Sequence, residues 1–114
     1  MKRYAAACIV ALILAGIVLP GVAYSAGTWT SCSPVEIMTH SDRVHVKCAT
    51  SVGGGIRYFA VSTTNTTLAA RVLSVISTAR VSGNTLTILY ESLASSNPSG
   101  CATTDCRLLY AVGF

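Results

Sequence analysis

Charged side chains are scarce in this chain. They make up 11% of its 114 residues, and only Glu36, Asp42, Glu91 and Asp105 are acidic. No two of these carboxylates stand at an obvious spacing for paired acid–base chemistry. There is no GxSxG elbow, and the plentiful serines have no accompanying base and orienting acid. Catalysis is therefore not expected, and no cofactor is implied. The basic residues form no run, so the charge pattern does not point to nucleic acid. Internal repeats and long linkers are missing too. The glycine cluster Gly53-Gly54-Gly55 leads into a strand pattern rather than a helix. It lacks the N–H-lined helix start that a phosphate loop uses.

The long apolar run is at the N-terminus, within MKRYAAACIVALILAGIVLPGVAYSAG. Lys2 and Arg3 precede it, and Pro20-Gly21 break it before a set of small residues. That is the pattern of a secretory signal peptide, taken as residues 1–25 with cleavage near 23–26. A retained membrane anchor is the rival, because the run approaches the roughly 20 residues needed to span a bilayer. The helix breaker and the small residues favour cleavage. No apolar run precedes Cys8, so it is not read as a lipid-attachment cysteine. The chain is expected to be exported, periplasmic or secreted, with no membrane span after cleavage. The whole-chain charge of +4 then shrinks. Six basic residues (Arg43, Lys47, Arg57, Arg71, Arg80, Arg107) face four acidic ones, a balance of +2.

About 88 residues remain, read as one domain over 26–114. A domain this small buries a limited fraction of its surface and often needs covalent staples. Cys32, Cys48, Cys101 and Cys106 remain once Cys8 leaves with the leader. An even number of cysteines in an exported chain reads as disulfides.

Hydrophobic periodicity predicts five strands and one helix. Residues 35–40 form a first strand, followed by a turn at Ser41-Asp42. VHVKCA (44–49) alternates, with Val44, Val46 and Cys48 on one face. IRYFAVST (56–63) has bulky residues on both faces. The period then changes: Leu68, Val72, Val75, Ile76 and Ala79 recur at helical spacing. Thr64 or Asn65 suits the N-cap, and Gly83 suits a left-handed C-cap. Strands at 84–92 and 106–114 follow, with Leu86, Ile88 and Tyr90, and then Leu108, Tyr110 and Val112, on their inner faces. The fold class is mainly β with one helix, β-β-β-α-β-β. That is the order of the OB-fold, a five-stranded Greek-key barrel. Closure removes the edges that short Val- and Ile-rich strands otherwise expose. An open sheet with the helix packed across it is the alternative.

The segment IRYFAVST…LAARVLSVISTARVSGNTLTILYE (56–91) resembles the strand–helix–strand core of B subunits from A–B-type bacterial toxins. The subtilase-cytotoxin and pertussis-like branch is the most similar. The opening TWTSCSPVEIMTH and the closely spaced cysteines of CATTDC fit the same resemblance. It implies an OB-fold, a homopentamer and binding of host glycans. It also implies a ligand role for a serine just before the first strand, a position held here by Ser33. The acidic residue that precedes this serine in the family is missing here. Trp29 and Tyr58 offer ring faces of the kind that sugars stack on. Each has a plainer reading, Ser33 as a turn cap and Trp29 as cover for an apolar edge. Tyr90 and Tyr110 are assigned to the core. His40 and His45 flank the Ser41-Asp42-Arg43 turn. A structural zinc site wants four ligands, so no metal is assigned. Arg71 and Arg80 read as solvated helix residues. Asn65-Thr66-Thr67 is a glycosylation sequon that a helix cap explains equally well. Two other classes stay open: a periplasmic structural domain bound to an envelope protein, and a single-strand nucleic-acid binder. Export and weak charge disfavour the second.

The four cysteines allow three connectivities. Cys32–Cys48 with Cys101–Cys106 is the expected one, and the others stay open. A turn at Ser41-Asp42 sets Cys48 opposite a residue near Val35, so a bulge is needed to bring Cys32 to it. The stretch SGCATTDCR (99–107) has no CxxC redox spacing and no companion ligand set. It reads as a clamp on the loop that enters the last strand. Closing that short loop is worth roughly 2 kcal/mol. Selective reduction of Cys101–Cys106 is expected to speed amide exchange at 102–105 while far-UV circular dichroism stays unchanged. Loss of the whole fold on reducing this pair alone would refute the clamp.

Overall fold

The structure is a computed structural model that describes residues 27–114. The leader, its cleavage region and Cys8 lie outside the described residues. The elements are β1 (Thr28–Cys32), β2 (Pro34–Thr39), β3 (Arg43–Val52), β4 (Ile56–Ser62), α1 (Thr66–Ser82), β5 (Leu86–Tyr90) and β6 (Cys106–Gly113). A single 3-10 turn, Ala94–Ser96, follows β5. The protein is mainly β with one helix, as its periodicity indicates. Among the described residues no helix is long and apolar enough to cross a membrane.

The sheet has six strands where the sequence pattern gave five. The added one is TWTSC, which pairs with β5 from Thr28↔Tyr90 to Cys32↔Leu86. Thr and Trp favour strands, but five residues without apolar alternation carry no periodic signal. The ladder order is β1-β5-β6-β4-β3-β2. All neighbours are antiparallel except β4 and β6, which run parallel. The ladder is open, with β1 and β2 as its edges. In the chain, however, only Ser33 separates these two strands. The edges of a flat six-stranded sheet lie roughly 24 Å apart, while one residue advances the chain by about 3.8 Å. The sheet therefore coils and brings the end of β1 beside the start of β2, while its ladder stays open.

Several contacts fix that corner. The Cys32–Cys48 disulfide joins the end of β1 to β3, with Cα atoms 5.1 Å apart. The Ala49 amide donates to the Ser33 carbonyl at 2.9 Å. Pro34 stands opposite Cys48, and a register shift between Pro34 and Glu36 lets the edge turn.

The concave side of the sheet buries Val44, Val46, Ile56, Phe59, Val61, Leu86, Ile88 and Leu109. Phe59 and Tyr90 meet there, their ring centroids 4.9 Å apart. Helix α1 closes this core with Ala69, Val72, Ile76 and Ala79, while Leu68 and Val75 flank the stripe half-buried. Its start and stop are both capped. Asn65 Oδ1 accepts from the Leu68 amide at 3.0 Å, and Gly83 takes the left-handed conformation at φ 74°. Arg71 and Arg80 are exposed on the opposite face.

The last strand departs from simple alternation. Leu108, Tyr110 and Val112 were expected inside, but Leu109 is the buried residue and Tyr110 is 42% exposed. Leu89 pairs with Ala111 while Tyr90 pairs with Leu109, so Tyr110 is an extra, bulged residue. One inserted residue turns the following side chains over. The Tyr110 hydroxyl donates to Glu91 Oε2 at 2.7 Å. Glu91 is 1% exposed, and its Oε1 accepts from the Leu93 amide at 3.1 Å. The tyrosine serves as a hydrogen-bond partner for a buried carboxylate, not as core filling. That hydrogen bond raises the phenol's pKa above its ordinary value.

Phe59 is fully buried, its ring against that of Tyr90. Phe59→Ala is expected to lower unfolding stability by about 3–5 kcal/mol. Urea denaturation followed by Trp29 fluorescence measures it. A loss under about 1 kcal/mol would show that this ring is not the centre of the core.

Candidate functional site

On its convex side the sheet carries two cross-strand rows. One row is Glu36, Lys47, Tyr58 and Cys106 on β2, β3, β4 and β6. The next is Met38, His45, Ala60 and Leu108. Directly opposed residues project from the same face, so these side chains share one surface. The bulky outer residues of IRYFAVST thus have a reason to be there. They are covered not by a helix but by the loop before β6.

That loop is held by several independent ties. Cys101 and Cys106 form a disulfide with Cα atoms 5.2 Å apart. Asn97 Nδ2 donates to the carbonyls of Cys101 and Cys106, at 3.2 and 2.9 Å. The Asp105 carbonyl accepts the amides of Arg57 and Tyr58, at 2.9 and 3.0 Å. Arg107 Nη1 donates to the Thr103 carbonyl at 2.8 Å. Gly100 has φ 80°, a left-handed conformation that suits glycine. A Cβ at this position would run into the Arg43 guanidinium. The missing side chain lets the loop close over Arg43.

Between the loop and the sheet lies a cleft of about 200 Å³. Its walls are Glu36, Arg43, His45, Tyr58 and Cys106 from the sheet, with Gly100, Ala102 and Asp105 from the loop. Arg43 Nη1 donates to Asp42 Oδ1 at 3.0 Å. A hydrogen bond with Ser99, and then Arg43, hold the Asp42 carboxyl below its ordinary pKa. The β2–β3 turn is therefore tied to the loop as well. His45 Nε2 lies 3.4 Å from Glu36 Oε1. Its ring meets Tyr58 edge-on at 5.4 Å and His40 at 5.1 Å. Lys47 Nζ stands 5.5 Å from the centre of the Tyr58 ring. Burial pushes the His45 pKa below its ordinary value of 6.5, and the Glu36 contact opposes this in part.

Of the three ligand candidates read from the sequence, Tyr58 lines this cleft. Ser33 does not. It is the exposed link between β1 and β2, its Oγ 3.4 Å from the Thr85 hydroxyl. Trp29 sits on edge strand β1 opposite Leu89, 60% exposed. In the ladder β5 and β6 separate β1 from β4, so the three residues do not form one site. His40 and His45 do approach each other, but Asp42 turns to Arg43 and Ser99 instead. Among the described residues, no three His, Cys, Asp or Glu side chains are grouped to hold a metal. Glu36, Arg43 and Asp105 were not singled out as site residues from the sequence. The alternation that pairs Glu36 with Lys47 and Tyr58 was the available signal, together with the cysteine-closed loop. No known protein family, curated protein or solved structure matches this chain.

The depressed pKa of His45 makes stability pH-dependent. Its contribution is present in full above the unfolded value of 6.5, where both states are neutral. It is lost as pH falls through the folded value, because the unfolded chain takes up the proton first. His45→Gln is expected to flatten the fall in Tm between about pH 7 and pH 5. Thermal scans across that window measure it, and an unchanged slope would rule out His45 as a source.

Proposed function

We propose that this chain is an exported, non-enzymatic binding module, similar in kind to a toxin B subunit, that recognises a glycan and assembles as a homopentamer. The cleft carries this reading. An aromatic residue, two acidic residues and an arginine line one cleft between a sheet face and a loop fixed by a disulfide. Rigid strands hold such a constellation more tightly than free loops do. The two disulfides suit the oxidising periplasm or the exterior.

The fold reading goes with it. The helix lies between β4 and β5, β4 runs parallel to β6, and the two sheet edges are joined through Ser33. This supports an OB-like five-stranded barrel whose first strand is bent and counted here as β1 and β2. Self-assembly draws support from apolar side chains left in solvent, Trp29, Tyr110 and Phe114. A groove between α1 and β6, lined by Leu68, Val72, Val75 and Val112, adds to that surface. The exposed Trp29 on an edge strand also favours a second reading, in which an envelope protein adds a strand alongside β1.

A glycan array tests recognition, and native mass spectrometry tests assembly. Wild-type protein is expected to give discrete glycan hits that Tyr58→Ala abolishes and Ser33→Ala leaves in place. A mass of five chains is expected at micromolar concentration. An array without hits would sink the glycan reading, and a purely monomeric spectrum would remove the pentamer.

A further inference from the structure

The cleft's fixed charges are of both signs. On the acidic side stand Glu36 and Asp105. No salt bridge engages Asp105 among the described residues. On the basic side stands Arg43, in the wall, its guanidinium 3.0 Å from Asp42. Lys47 lies beside Tyr58 and opposite Glu36 in the ladder. An anionic ligand meets like charge from Glu36 and Asp105, while Arg43 is already paired with Asp42. At separations of a few ångströms beside protein, such a like-charge contact costs on the order of kilocalories.

An uncharged hydroxyl group meets no such conflict. It donates to a carboxylate and accepts from a guanidinium or a phenol. A carboxylate takes two neighbouring hydroxyls at once through its two oxygens. Tyr58 adds aromatic surface for the C–H side of such a molecule. The volume sets the size. At about 200 Å³ the cleft is smaller than the roughly 300–1,000 Å³ of sites for drug-sized molecules. It has room for one ring.

We propose that the cleft takes a single uncharged, hydroxyl-rich ring, a neutral sugar unit, and turns away acidic sugars. Glu36 and Asp105 accept its hydroxyl protons, Arg43 donates to its oxygens, and Tyr58 lies along the ring. This assignment rests on the glycan reading above and narrows it.

The test is an NMR titration of the disulfide-intact, isotope-labelled protein. The neutral probes are the methyl glycosides of galactose, glucose and N-acetylglucosamine. The charged probes are N-acetylneuraminic acid and glucuronic acid. At least one neutral glycoside is expected to shift the amides of Tyr58 and Asp105, with an affinity at least tenfold above any charged probe. The double variant Glu36→Gln/Asp105→Asn is expected to admit glucuronic acid, which a merely structural role for these carboxylates would not bring about. An acidic sugar that fills the wild-type cleft as tightly as a neutral one overturns the assignment and leaves glycan recognition standing. So does a neutral sugar that shifts only Trp29 and its neighbours. If no sugar moves any resonance, both fall.

Discussion

One residue, Ser33, joins the two edges of a six-stranded sheet. Everything else in the architecture follows from that constraint. Two strands that are consecutive in the chain cannot stand at opposite ends of a flat ladder, so the sheet coils. Coiling separates a concave side, which takes Phe59, Tyr90 and the helix stripe, from a convex side that stays free for a site. The Cys32–Cys48 disulfide and the register shift at Pro34 lie at this same corner. They hold the bend in place, and the helix fills the space that the bend encloses.

The cleft depends on the same geometry from outside. Ladder register brings Glu36, Lys47 and Tyr58 into one row, and the bent sheet offers them a curved floor. A loop as rich in serine and small residues as 92–105 has little apolar surface with which to pack. It is held instead by a disulfide, an asparagine bridge and two backbone hydrogen bonds to the Asp105 carbonyl. These are polar and covalent ties, and their geometry is specific. A wall built in this way keeps its shape without a core of its own, as a binding surface requires.

Much of the fold was legible from periodicity because one face of each main strand is buried. Val44 and Val46, Leu86 and Ile88, and the helix stripe all carry that signal. So do the caps Asn65 and Gly83, whose chemistry is local. Two features were not legible. Strand β1 owes its existence to β5, more than fifty residues downstream, and its own five residues hold no pattern. The bulge at Tyr110 is a register event between β5 and β6 that pairs Leu109 with Tyr90 and brings the Tyr110 hydroxyl to the buried Glu91. The site was legible only in part, for a similar reason. Tyr58 announced itself by type. Glu36, Arg43 and Asp105 are ordinary polar residues until the ladder and the loop bring them together, and single-chain spacing does not encode that meeting.

The edge position of β1 also has a consequence in time. A ribosome releases the chain N-terminus first, so Thr28–Cys32 emerges long before Leu86–Tyr90 exists to pair with it. Until then TWTSC is an unpaired strand next to an open thiol. Cys48 follows Cys32 closely, so the covalent tie is within reach before the ladder is. The hairpin of β2 and β3 then carries β1 as a tethered arm and presents it to β5 when that strand arrives. The order of synthesis thus puts Cys32 and Cys48 within reach of each other before the strand that pairs with β1 has been made.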